Sequence, residues 1–360
     1  MSSKILQRIE RQLGAPGIAV SLAELAASDL QSLLLEVFRD RARTVRPVEL
    51  LDERRGLCTV CSADARRLHA FDGAAYAAAD GFDAVELSPV SPAGGNTVLG
   101  RIDQNSTLAA IRNVEVLSDP TIAQTLEAAR RRRRDRTRTV QLCSSQRLMR
   151  LQPFDNPGYT RHFRLFSLVT AGRDTGNFGF ECAALREQLR VYLRLLGALP
   201  ALGFRIGAVT VELADSGVVD VLGIARDELS AKVRAHNHAA PSLLEGRALP
   251  LPQHADDPRG LAPLAGTPSE LRLSRAHETV VEPLRSEFPS VLFRYDLWRL
   301  EGATYYRGLC FRINVIDTEG LDLPLGDGGF TDWTQRLLSD DKERLLATGI
   351  ANELVCKRYV

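Results

Sequence analysis

The chain has 360 residues, 44% hydrophobic and 25% charged, enough to bury a large core as one domain or two. A formal net charge of +1 excludes a globally basic nucleic-acid binder and an acidic disordered tail. Lys4, Arg8, Glu10 and Arg11 interrupt the first apolar residues, and no run approaches the roughly 18 to 20 apolar residues that span a bilayer, so a soluble, cytoplasmic protein is expected.

Ser21, with Glu24 at capping-box spacing, is read as the start of a helix running to Arg41, with Leu30, Leu33, Leu34, Val37 and Phe38 as its apolar stripe. Cys58 and Cys61 form a CxxC without a second ligand pair at zinc-site spacing, so no metal site is expected. Phe82 to Leu87 alternates as a half-buried strand does, and Ser106 to Ile111 reads as a short helix. Asp119 and Pro120 suit the N-cap and first position of a helix that runs into the arginines of 130–138.

Gln141 to Arg150 and Phe163 to Val169 read as strands joined by a Pro/Gly loop. Glu181 to Leu199 reads as a long amphipathic helix with Leu185, Leu189, Tyr192, Leu193 and Leu196 inward. A strand at Ala208 to Leu213 and a helix at Ile224 to Ala235 precede an irregular, Pro-rich connector over 236–268 that holds His236 and His238. A helix near Ser274 to Glu287, strands at Val291 to Arg299 and Tyr305 to Val315, a tight turn at Gly326 to Gly329 and a helix from Asp332 complete the pattern. Long strands joined by short turns imply an α+β fold with a mostly antiparallel sheet.

Four strings then fall in one order: SDPTIAQTLEAARRR from Ser118, MRLQPFDNPGYTRHFRLFSLV from Met149, LEGATYYRGLCFRI from Leu300 and GDGGFTDWTQRLL from Gly326. Together they resemble the class II aminoacyl-tRNA synthetase core of the histidyl type. The resemblance implies a class II synthetase-like antiparallel sheet flanked by helices, with an insertion before the last strands. The expected division is a helical segment over 1–45 and a core over 46–360, with the insertion at about 222–288 and no anticodon-binding domain.

Adenylate chemistry brings a carboxylate against the α-phosphate of ATP, so such a site needs fixed cations, commonly arginines and Mg. By resemblance, Arg150 stands at the arginine that opens motif 2, Gln152 at its adenine-reading glutamate and Arg161 at a loop arginine. Glu301 stands where the family has a catalytic arginine and Cys356 where motif 3 ends in one, with Lys357 or Arg358 as substitutes if the alignment slips. Tyr305 and Tyr306 match the tyrosines lining the amino-acid pocket, and Asp332 keeps its place. Val169 and Thr121 replace the carboxylates that read the imidazole and the α-amino group.

These departures point to a paralogue that does not charge tRNA and binds an amino-acid-like or nucleotide ligand in a regulatory or accessory role, akin to the regulatory subunit of ATP phosphoribosyltransferase. The expected ligand-binding residues are Thr121, Arg150, Gln152, Arg161, Tyr305, Tyr306 and Asp332, with ATP and Mg as candidate cofactors. A homodimer, formed through the 21–41 helix and the 82–87 strand, and a partner enzyme are expected; contact with nucleic acid or membrane is not. The competing readings are an ATP-dependent ligase that forms an acyl-adenylate, and an RNA-binding module acting through Arg130 to Arg138.

Overall fold

The computed structural model describes residues 2–51, 57–152, 159–235 and 237–360; His236 and the side chain of His238 lie outside that description. The helices are α1 (Ser2–Leu13), α2 (Ile18–Ala23), α3 (Ala27–Arg43), α4 (Ala65–Ala78), α5 (Gly95–Val98), α6 (Pro120–Arg134), α7 (Gly179–Ala198), α8 (Val218–Val221), α9 (Arg226–Ala235), α10 (Pro268–Ala276), α11 (Glu282–Glu287), α12 (Trp333–Leu338) and α13 (Asn352–Arg358). The strands are β1 (Asp83–Ala84), β2 (Val90–Pro92), β3 (Ala109–Ala110), β4 (Val114–Val116), β5 (Val140–Met149), β6 (His162–Arg173), β7 (Val209–Asp215), β8 (His254–Ala255), β9 (Leu292–Asp296), β10 (Tyr306–Ile316), β11 (Asp322–Thr331) and β12 (Glu343–Ile350).

Nine strands form one sheet in the order β1-β5-β6-β12-β11-β10-β7-β9-β8, antiparallel except where β1 joins β5 and β7 joins β9. Strands β2, β4 and β3 make a separate small sheet. Alternation sorts β6: Phe166 and Leu168 are buried in the main core cluster, which also holds the inward leucines of α7. Val169 and Ala171 belong instead to a second cluster with Ile122, Leu345, Ala347 and Trp333. The α+β architecture expected from the strand order is present.

Several local expectations need correction. Ser21 lies inside α2, and α3 starts at Ala27 behind Ala26, which makes no side-chain cap. The helix that leads toward β1 is α4, capped by Asp64 and seated on Leu68, Phe71 and Ala75. The region read as a helix at 106–111 holds a 3-10 turn and β3. The glycines of 326–329 run inside β11, because that strand is squeezed between its neighbours. A Cβ on Gly328 would meet Thr348 at 2.2 Å, and one on Gly329 would meet Cys310 and Tyr306 at 2.7 Å.

Candidate binding cavity

A cavity of about 280 Å³ opens on the face of the sheet formed by β6, β12 and β11. The start of α6 supplies Asp119 and Thr121, and the end of β5 leads to Arg150. Phe163, Leu165 and Ser167 come from alternate positions of β6; Ala347 and Gly349 come from β12. Tyr305 and Tyr306, Asp327 of β11, Trp333 of α12 and Glu353 of α13 complete the wall.

Arg150, Thr121, Tyr305 and Tyr306 are thus brought together as the sequence suggested. Arg161, Gln152 and Asp332 are not among the lining residues. Arg161 uses its carbonyl to accept from the Arg150 N–H at 2.8 Å. Asp332 is ion-paired with Arg307 at 3.3 Å and with Arg336 at 3.9 Å. Residues 153–158 of the β5–β6 loop lie outside the described residues.

Arg150 is fixed from several sides. Its Nε donates to the Ser118 carbonyl at 2.8 Å, its guanidinium lies 5.4 Å from the centre of the Phe163 ring, and Nη2 is 3.8 Å from Asp119 Oδ2. Asp119 caps α6 and also accepts from the Thr121 hydroxyl at 2.7 Å. A cation and an anion therefore sit side by side, the charge pattern of a zwitterionic head group.

Tyr305 and Tyr306 lie with ring centres 4.4 Å apart. Burial, and then the charge of Asp327, push both hydroxyls upward, so they stay protonated donors at neutral pH. Tyr306 donates to Asp327 Oδ1 at 2.5 Å, and Arg299 donates to Oδ2 at 2.5 Å. Burial is the largest single influence on Arg299 and opposes its charge, but Asp327 together with Cys310, Tyr306 and Tyr305 outweighs it and holds the guanidinium charged.

The missing cations are accounted for. Glu301 does not line the cavity; it pairs with Arg312 at 3.5 Å. Cys356 is buried within α13, and burial pushes its thiol up to about 12. Arg358 is spent on Asp317 and Glu319, and Lys357 lies 2.7 Å from Glu353. Val169 is fully buried in the Trp333 cluster and does not line the cavity. Among the described residues, no group of three or more His, Cys, Asp or Glu side chains could hold a metal ion.

Sequence reasoning passed over Arg164, Asp327, Trp333 and Glu353. Arg164 lines the cavity, donates to Ser145 Oγ at 2.9 Å and lies 3.5 Å from Asp72, which also accepts from Ser145 and Asn352. Asp64 before Leu68, Phe71 and Ala75 was the available signal for α4, the helix that carries Asp72.

Part of the arginine run is structural, whereas Arg130, Arg133, Arg134 and Arg138 are exposed. Arg132 is fully buried and makes a two-pronged bond to Glu343 at 2.7 and 3.0 Å. Arg131 pairs with Glu127 and Asp83, and Arg136 with Asp340 and Glu343. That use of Arg131, Arg132 and Arg136 leaves a smaller cationic patch than the run of arginines suggests.

No family model matches the chain, and no curated protein matches it. Solved structures do. An ATP phosphoribosyltransferase regulatory subunit/histidyl-tRNA synthetase from Bacillus halodurans C is 14% identical, with a TM-score of 0.63 over 85% of this chain and 82% of that one. A histidine–tRNA ligase subunit from Alicyclobacillus acidocaldarius is 16% identical, with a TM-score of 0.57 over 85% of this chain and 96% of that one. Histidyl-tRNA synthetase from Nostoc sp. PCC 7120 is 16% identical, with a TM-score of 0.59 over 84% and 73%. The chain has the histidyl-type class II synthetase core fold that these structures share.

Proposed function

We propose that the protein binds an amino-acid-like ligand in this cavity, in a regulatory or accessory role, and does not charge tRNA. The observation that carries the reading is the adjacency of Arg150 and Asp119 beside the paired tyrosines. The guanidinium suits the ligand's carboxylate, Asp119 its ammonium, and Tyr305 and Trp333 a flat or apolar side chain. A volume of about 280 Å³ lies near the low end of small-molecule sites, roughly 300–1,000 Å³, and suits an amino acid better than a whole nucleotide.

The non-charging part rests on the cations. Cys356 cannot supply the positive charge expected where motif 3 closes, and Arg358 is held by Asp317 and Glu319. Stabilising a developing phosphate charge with fewer fixed cations lowers the rate steeply. ATP and Mg remain candidate ligands of the cavity, a symmetric homodimer the proposed assembly, and a second enzyme the proposed client. One of the similar structures is itself named as a regulatory subunit.

Isothermal titration against the twenty amino acids and ATP tests this. Saturable binding of an amino acid with an apolar or aromatic side chain, weakened by Arg150→Ala, is the expected result. Amino-acid-dependent exchange of pyrophosphate into ATP would replace this reading with the acyl-adenylate ligase.

A further inference from the structure

A second cavity, of about 940 Å³, lies among the start of α7, the end of β7, helices α8 to α10 and the turn that enters β10. It shares Thr331 with the first cavity and is much the larger of the two. Phe178, Val221, Leu229 and Leu309 make part of its wall apolar. Two other features of the wall point to a ligand. Arg101 and Phe178 both hold a left-handed backbone, with φ of 55° and 57°, which side chains rarely adopt. Such strain persists only where the surroundings enforce it, and it gathers at ligand sites.

The second feature is charge. Residues 304–308 gather three guanidinium groups. Arg101 Nη1 donates to the Thr304 carbonyl at 2.7 Å, and Arg307 belongs to the segment itself. Arg272 lies over Gly308, where a Cβ would meet its Nε at 3.2 Å. Arg272 donates through Nε and Nη2 to Asp215 at 2.6 and 2.8 Å, which leaves Nη1 without a hydrogen bond among the described residues. The Asp215 side chain is sealed behind it. Asp332 is shared between Arg307 and Arg336, and Arg101 meets no carboxylate among the described residues. Four arginines thus stand against two carboxylates on this side. Elsewhere in the wall Arg226 is matched by Asp220, and Arg344 is shared by Asp174 and Glu181. Glu181 Oε2 is buried without a hydrogen-bond partner among the described residues, so it calls for a donor.

We propose that this cavity binds a phosphate monoester, at a site separate from the amino-acid cavity and independent of that reading. A phosphate monoester carries close to two negative charges at neutral pH, which matches the two uncompensated arginines; a single carboxylate would match one. Guanidinium groups engage phosphate through paired N–H donors. A hydroxyl on the ligand's body can donate to Glu181 Oε2, and the Phe178 ring offers a face to a base. The volume lies near the upper end of small-molecule sites, roughly 300–1,000 Å³, and leaves room for a nucleotide.

Isothermal titration of the full chain with inorganic phosphate, ribose 5-phosphate, uridine monophosphate and uridine tests the assignment, and a thermal melt of each variant checks that the core stays folded. Uridine monophosphate should bind at least about tenfold tighter than uridine, which lacks the phosphate. Arg101→Gln and Arg307→Gln change exposed side chains and should each weaken it about tenfold. Phe178→Asn keeps a residue that tolerates the left-handed backbone. It should weaken uridine monophosphate and leave ribose 5-phosphate unchanged if the natural ligand is a nucleotide; a variant indifferent to both, with both still bound, marks a sugar phosphate. Phosphate binding that Arg150→Ala abolishes and the Arg101 and Arg307 variants leave untouched belongs to the first cavity and overturns the proposal. So does the absence of saturable binding by any phosphorylated probe at millimolar concentration, a result that leaves amino-acid binding in the first cavity unaffected.

Discussion

Arg299 and Asp327 form an ion pair in the cavity wall in which the cation is sealed and the anion is not: their side chains are 2% and 46% exposed. Removing the more exposed partner should therefore cost more. Asp327→Ala strands a buried guanidinium, for which about 3 kcal/mol of stability is the expected loss. Arg299→Met leaves a carboxylate that water can reach, and about 1 kcal/mol is expected. Urea denaturation of the two variants measures the difference, and equal losses would show that Asp327 is not what holds Arg299.

Glu301 and Arg312 lead to a related expectation. Glu301→Arg sets two guanidinium groups together, 3.5 Å being the present separation of Glu301 from Arg312. It adds no cation to the cavity, so ATP affinity should not rise. Titration with ATP decides it: a tenfold gain would mean that residue 301 faces the ligand after all.

The arginines of 130–134 should separate cleanly. Arg132→Gln leaves Glu343 buried without its bidentate partner, and about 3 to 5 kcal/mol should be lost. Arg133→Gln with Arg134→Gln, both exposed, should change stability by under about 0.5 kcal/mol. Chemical denaturation of the two proteins checks this; similar losses would contradict the buried assignment.

The run shows why some of the molecule was legible in the sequence and some was not. Five consecutive arginines at a helix end look like one solvated patch, and nothing local says that the third turns inward to Glu343, 211 residues away. By contrast α6, α7, β5 and β6 were readable because a cap, a 3.6-residue stripe or alternation is written into adjacent residues. Arg150 and the tyrosines were found through ordered strings. Asp327 and Trp333 were not, because their roles depend on strand register between β10, β11 and β12. The glycines at 326–329 misled for the same reason: local signals equate Gly with a turn, whereas here they admit Thr348 and Tyr306 from neighbouring strands.

Alkaline pH should weaken the fold. Burial pushes the thiols of Cys143, Cys310 and Cys356 up to about 12, against roughly 8.5 in an unfolded chain. Above that unfolded value the unfolded state sheds these protons while the folded state keeps them, so the slope of stability against pH is negative. The contribution is whole below about pH 8 and is lost as pH rises toward 12. Buried Tyr192, Tyr295 and Tyr359, also shifted upward, add to the fall. Tm measured at pH 8 and pH 10.5 should drop clearly, and an unchanged Tm would rule out ionisable groups of this kind in the core.

The sharpest expectation for the cavity is the division of labour between Arg150 and Trp333. Arg150 reaches the cavity through bonds that fix its direction, so its fork is set for a carboxylate. Arg150→Ala should weaken an amino-acid ligand by about 1.5 to 3 kcal/mol, the range for a charge-assisted hydrogen bond, whatever the ligand's side chain. Arg150→Lys keeps the charge and loses the planar fork, and should recover only part of the affinity. Trp333→Ala acts on the other half of the ligand. It removes an aromatic wall that is 3% exposed and clusters with Val169 and Ala347. The ranking among apolar and aromatic side chains should then shift toward larger ones, while the dependence on the carboxylate stays. Titrating each variant with a bulky amino acid and with its amide, which lacks the carboxylate, separates the two effects. Equal affinity for acid and amide in the unaltered protein would remove Arg150 as the carboxylate reader and the amino-acid reading with it.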